Sequence, residues 1–143
     1  MKKLLIVAFV AIFATAFVSC NKDKGEEKLI GTEWTYVDNS VMDFMGVPVN
    51  INLDATMTFA DINNGSLASH VIMSAEGMGE LANETLTEAF TYSFDGEKGV
   101  LTIPATDEDP EINAELTLID ETHLQLSETT EGETTTMTFT KKK

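Results

Sequence analysis

The chain contains no arginine. That removes the side chain best suited to a bidentate grip on carboxylates and phosphates, and leaves anionic small molecules to lysine or backbone amides. Cations are scarce altogether: nine lysines face 24 Asp and Glu residues, for a net charge of −15. This balance argues against nucleic acid, whose phosphates are bound by displacing counterions with Lys and Arg. It argues equally against electrostatic attraction to anionic lipid headgroups. The single cysteine, Cys20, excludes an intramolecular disulfide, so any folded domain is held by packing alone.

Catalytic and metal-binding patterns are also missing. The two histidines, His70 and His123, stand alone, without a second histidine or a cysteine at zinc-ligand spacing. His70 reads as an outward strand residue and His123 as a solvated turn residue. Gly65-Ser66 lacks the Gly-x-Ser-x-Gly elbow of a nucleophilic serine. The acidic run Asp107–Glu111 lacks the spacing and central glycine of a calcium loop and reads as a solvated loop. No glycine-rich phosphate loop is present. The expectation is a non-enzymatic protein with no metal and no dissociable cofactor.

One long apolar run is present, at the start. Met1-Lys2-Lys3 is cationic, residues 4–18 are apolar or small, and Ser19-Cys20 precedes the polar stretch Asn21-Lys22-Asp23-Lys24. The run is shorter than the roughly 20 residues needed to span a bilayer, and a charged start with a short apolar core marks a secretory signal. A cysteine at the cut site, in Phe17-Val18-Ser19-Cys20, resembles a bacterial lipoprotein signal. That resemblance implies removal of residues 1–19 and covalent attachment of diacylglycerol and an acyl chain to Cys20. An ordinary secretory signal followed by a free thiol is the alternative. Asn21 after the cysteine resembles the outer-membrane choice, which implies a lipoprotein of a Gram-negative outer membrane, facing the periplasm or the surface. Residues 20–28 read as a charged tether. Removal of Lys2 and Lys3 leaves seven lysines against 24 acids, a net charge of −17 over 124 residues. That length suits one domain with one core.

From Leu29 the pattern has a period of two, the mark of strands with one buried and one wet face. A first strand covers 29–37, with Trp34 and Tyr36 on one face, and Asp38-Asn39-Ser40 reads as a turn. Residues 41–45 form a short apolar segment broken at Gly46. Val47, Val49, Ile51 and Leu53 alternate with polar residues and Pro48, which places this strand at an edge or bulge. Met57 and Phe59 point inward on the next stretch, and residues 63–65 read as a tight turn before a strand over 67–73. Residues 74–88 lack alternation and read as a long loop or one short helix near 80–85. Phe90, Tyr92 and Phe94 alternate again, followed by a hairpin at 95–99 and strands at 100–103, 112–119, 123–127 and 134–140.

The opening Leu29-Ile30-Gly31-Thr32-Glu33-Trp34, the segment Tyr92-Ser93-Phe94-Asp95-Gly96 with Leu101-Thr102-Ile103, and the end, residues 116–126 with Met137–Lys141, together resemble the lipocalin-like domain of secreted Bacteroidetes lipoproteins. The resemblance covers roughly residues 29–141. It implies an all-β fold over 29–143: an antiparallel, up-and-down, eight- or nine-stranded barrel shaped as a calyx. Lipocalins stack an arginine over the tryptophan of the first strand; with no arginine available, Lys141 is the substitute over Trp34. An open β-sandwich is the competing architecture. Inward residues Trp34, Met57, Phe59, Phe90, Tyr92, Phe94, Leu116, Leu118, Met137 and Phe139 either line a ligand cup or fill an ordinary core. Met42, Met45 and Met78 fall where a rim or lid would lie. The functional expectation is an anchored module for a small apolar or amphipathic ligand. A fully packed barrel that contacts an envelope protein is the alternative.

Overall fold

In a computed structural model the described residues are 25–143, so the expected signal segment, Cys20 and most of the tether lie outside them. A 3-10 turn, Glu26–Leu29, leads into eight strands: β1 (Glu33–Phe44), β2 (Val47–Phe59), β3 (Asn64–Ala75), β4 (Gly79–Phe94), β5 (Lys98–Ile103), β6 (Ile112–Leu118), β7 (His123–Thr130) and β8 (Glu133–Lys141). Each strand pairs antiparallel with the next, and β8 returns to β1, so the sheet closes into an up-and-down barrel. Closure rules out the open sandwich and removes the sheet edges wherever the ring is complete.

The ring is complete at one end only. At that closed end lie the β2–β3, β4–β5 and β6–β7 turns together with the 3-10 turn and the C-terminus. There β1 meets β8 through the pairs Trp34↔Lys141 and Thr35↔Thr140, and β4 meets β5 over Thr91–Phe94. Beyond those pairs the barrel flares into two leaves. One is β1–β4, paired continuously from Phe44↔Val47 down β1–β2 and from Ala75↔Gly79 down β3–β4. The other is the shorter β5–β8 set. At about 3.3 Å per residue, the 12 residues of β1 span about 40 Å and the 8 of β7 about 26 Å, so the first leaf projects past the second.

Several sequence expectations change here. Residues 38–40 form no turn: β1 runs through them, with Asp38↔Leu53, Asn39↔Asn52 and Ser40↔Ile51 in register, and it turns at Met45-Gly46 instead. Leu29 belongs to the 3-10 turn rather than to a strand. The segment 74–88 is neither loop nor helix. Its end part is the upper half of β4, the longest strand, paired to β3 with a bulge at Met73/Ser74. Tertiary pairing overrides the helix-favouring Leu, Ala and Glu content of Gly79–Ala89. The β2–β3 turn sits at 60–63, where the Asp61 carboxylate accepts the backbone N–H of Asn63 and of Asn64, each at 2.9 Å. Asn64 and Gly65 are already in β3. A Cβ on Gly65 would lie 2.3 Å from the Phe90 ring, so glycine is required for close approach across the strands rather than for a turn. The hairpins at 95–97 and 131–132 are where the sequence pattern put them, with Gly96 and Gly132 at positive φ.

Candidate functional site

The ten inward residues singled out from the sequence all meet at the closed end. Trp34, Met57, Phe59, Phe90, Tyr92, Phe94, Leu116 and Phe139 are buried in one cluster with Leu29, Leu101 and Leu124, and Leu118 and Met137 pack against it half-buried. Phe59 sits edge-on to Tyr92 and to Phe90, with ring centroids 4.8 and 5.5 Å apart, the tilted geometry that aromatic quadrupoles favour. The Tyr92 hydroxyl donates to the Asp61 carbonyl, and burial pushes its pKa up. Trp34 is pinned at its polar end: its Nε1–H donates to Thr32 Oγ1 at 2.8 Å, and that hydroxyl donates to the Leu29 carbonyl. Lys141 Nζ lies 5.8 Å from the Trp34 ring centroid, the cation–aromatic pairing expected in place of arginine. These residues therefore form the packed plug of the barrel.

The other half of the interior has a different character. Cross-strand partners share a face. The inner face of the long leaf therefore carries Asp38, Ser40, Met42 and Phe44 on β1, Val47, Val49, Ile51 and Leu53 on β2, and Ser69, Val71, Met73 and Ala75 on β3. Val49, Ile51, Val71 and Ala75 form a second, separate apolar cluster, flanked by Val47, Leu53 and Met73. Exposure on this face differs by strand: Val49, Ile51, Val71 and Ala75 on β2 and β3 are 5–8% exposed, whereas Met42 and Phe44 on β1 are 48% and 63% exposed. A buried apolar patch on β2 and β3 is thus bordered on β1 by exposed Met42 and Phe44.

Carboxylates share that half. Glu84 and Glu88 lie on the inner face of β4, opposite Val71 and Leu67. Glu128 lies on the face of β7 that carries buried Leu124 and Leu126, opposite Thr135 of β8. Loss of solvent pushes its carboxyl up to about 7. Two positions further on, the Thr130 hydroxyl is enclosed and unpartnered. The sequence reading missed Glu128 because it ended the strand at Ser127. The phase of Leu124 and Leu126 carried one step further would have found it.

The rim is formed by two hairpin tips of the long leaf, Phe44–Val47 and Ala75–Gly79. Met45 is 91% exposed and has φ 55°, a left-handed backbone that a bulky residue rarely adopts. Met78 and Leu81 are exposed beside the second tip. The methionines expected at a rim are therefore at one, with Met42 on β1 and Met45 and Met78 in the tips.

The histidines take no part. His70 Nε2 is 2.8 Å from Asn83 Oδ1, and His123 Nδ1 is 2.9 Å from the Asp120 carboxylate within a surface turn. Hydrogen bonds from the Thr122 backbone and hydroxyl, with His123, hold Asp120 down to about 2. In the β5–β6 loop the Thr106 hydroxyl caps the Glu108 and Asp109 amides, an ST-turn within the acidic run. Among the described residues no group of three or more His, Cys, Asp or Glu is placed to hold a metal ion.

All five described lysines gather at the closed end. Lys28 Nζ donates to the Gly96 carbonyl at 3.2 Å, Lys98 opens β5, and Lys141–Lys143 end the chain, with Lys142 paired to Glu33 at 2.8 Å. These lysines share the closed end with Glu33, Asp61, Asp95 and Asp120, and the charged side chains described at the open end are carboxylates. The chain also enters at the closed end. Gly25 packs so tightly on the β4–β5 turn that a Cβ there would lie 2.2 Å from the Asp95 carbonyl.

No protein-family model matches the chain, and a search of curated proteins returned no match.

Proposed function

We propose that this chain is a non-enzymatic binding module, held on a membrane through lipid on Cys20, that takes a small apolar or amphipathic ligand in the flared half of the barrel. One observation carries the reading: the inner face of β2 and β3 holds a second apolar cluster, Val49, Ile51, Val71 and Ala75, separate from the plug and bordered by exposed Met42 and Phe44. A soluble domain gains by covering such a face. Apolar ligand matter would lie along β2 and β3, and a polar head would turn towards Glu128 and Thr130 of β7.

The anchor gives this site a direction. From Cys20 to Gly25 the chain reaches at most about 18 Å when fully extended. The closed end then stays near the bilayer, with its lysines towards the headgroups, and the rim faces away from the membrane. A lipoprotein of a Gram-negative outer membrane would hold its open end to the periplasm or to the outside, according to the leaflet that carries the lipid.

The test is a titration of delipidated protein with a fluorescent fatty-acid analogue. Saturable binding that Ile51→Glu abolishes, with the barrel still folded by circular dichroism, supports the site. Absence of saturable binding by the parent protein rejects it. The anchor is tested separately by fractionating cells that carry Cys20→Ser: retention in the outer membrane refutes lipid attachment.

A second reading, contact with an envelope protein, is favoured by Met45, Phe44, Met78 and Leu81. Met45, Met78 and Leu81 stand exposed at or beside the tips, and Phe44 is exposed at the outer end of the inner face.

A further inference from the structure

The flare leaves strand edges without neighbours, and these edges are not equally defended. Among the described residues, β8 pairs with β1 only at Trp34 and Thr35, so β1 from Tyr36 to Phe44 is a free edge. Three other edges are opened by the same flare, and those of β4 and β5 carry devices that block strand addition. The upper part of β4 has Glu80, Glu84 and Glu88 and the bulge opposite Met73/Ser74. The end of β5 is stopped by Pro104. The outer part of β8 begins at Glu133 beside the Glu131-Gly132 turn and is mostly threonine. Native sheets protect exposed edges with charge, proline, bulges or short length. The β1 edge has no lysine, proline, glycine or bulge; its only charges are Asp38 and Asp43, and it carries exposed Val37 and Val41.

The direction of its backbone groups follows from one hydrogen bond. The Lys142 N–H donates to the Glu33 carbonyl at 2.9 Å across the seam, so Glu33 faces β8. Strand alternation turns Val37, Asn39, Val41 and Asp43 the same way. Each presents one N–H and one C=O to the gap.

We infer that the β1 edge is a docking site for an extended polypeptide segment that alternates apolar with Lys or Arg residues and adds to the sheet as a ninth strand. Main-chain hydrogen bonds to the four seam-facing residues would give the register. Charge selects the partner. Asp38 and Asp43 lie on the strand, Glu133 lies across the gap on β8, and the described lysines sit at the far end of the barrel. A second copy of this chain would bring the same carboxylates into the same gap, whereas a basic segment is attracted to it. This surface is the edge of the long leaf, separate from its inner floor, so the inference stands whether or not a small ligand binds there.

The experiment uses the mature protein and a labelled short peptide alternating valine and lysine, with a valine–glutamate peptide as its counterpart. Fluorescence anisotropy gives affinity, and amide hydrogen exchange gives location. The expected result is binding of the lysine peptide at least about tenfold tighter than the glutamate peptide, weakened by salt. Exchange should slow at Val37, Asn39, Val41 and Asp43. N-methylation of alternate peptide residues and Val41→Pro should each abolish binding. Because the Val41 N–H faces the gap, proline there removes no bond to β2; Val41→Lys is the second variant, which keeps the backbone donor and adds a repelling charge. Equal binding of the two peptides, slowed exchange in β4 rather than β1, or protection of the β1 edge by concentration-dependent dimerisation without peptide would each overturn the inference.

Discussion

Replacement of Glu128 by glutamine should stabilise this protein at alkaline pH and leave it unchanged in acid. Glu128 lies on the inner face of β7, and loss of solvent raises its carboxyl from an ordinary 4.5 to about 7. The folded state therefore holds a proton between those values that the unfolded chain has already released. Stability must fall as pH rises through that window, with no penalty below 4.5 and the whole penalty present above 7. A fully shielded group shifted this far would represent about 3.4 kcal/mol. The side chain is only half-buried, and solvent screening reduces the expected figure to about 1–2 kcal/mol. Glu128→Gln keeps the shape and removes the charge. Urea denaturation at pH 8 should place its midpoint about 0.5–1 M above the parent, for a slope of about 2 kcal/mol per molar. At pH 4 the two midpoints should coincide. Asp61, Asp95 and Asp120 are held low by backbone hydrogen bonds and act in the opposite sense, losing stabilisation as pH falls below their range, but they cancel in the difference between the two proteins. Equal midpoints at pH 8, or a gain that persists at pH 4, would refute a desolvated carboxyl inside the flared half.

Other substitutions probe the two ends of the barrel. Gly65→Ala would drive a methyl into the Phe90 ring and the Thr58 carbonyl, so it should lower unfolding free energy by about 1–3 kcal/mol in the same urea assay. Met45→Asn should raise stability by about 0.5–1 kcal/mol, because asparagine tolerates the left-handed backbone and the exposed methionine packs on little. If the methionine serves a partner instead, the stabilised variant loses that contact, a trade that thermal melting and peptide binding measured side by side will reveal. Lys141→Met should remove about 0.5–1 kcal/mol and shift Trp34 fluorescence, while Lys143→Met does neither.

The closed end was legible from composition and phase. Trp34, Met57, Phe59, Phe90, Tyr92 and Phe94 are large, apolar and spaced by two, and a residue that must be buried on one face shows that face in the pattern. Lys141 over Trp34 was legible only through the resemblance to lipocalins, which stack an arginine there, since this chain has no arginine to take that place. The flared end was not. Along β1 the inner face carries Asp38 and Ser40 before Met42 and Phe44, so a strand that emerges into water looks like a turn followed by a loop. The upper half of β4 mixes Glu84 and Glu88 with Ala82 and Leu86 on one face, and its alternation disappears for the same reason.

By itself the sequence determined the class of the fold and which large side chains face inward; whether they line a cup or fill a plug it left open. It determined the first two because period-two burial of large side chains is a local property that survives without knowledge of neighbours. The tertiary structure alone decided that the ring closes at one end and opens at the other, since closure depends on which strands run out of partners first. That one circumstance gives the flared half its own apolar cluster and leaves the β1 edge bare. Neither of these is a property of any single segment; each arises from the unequal lengths of strands paired around a common ring.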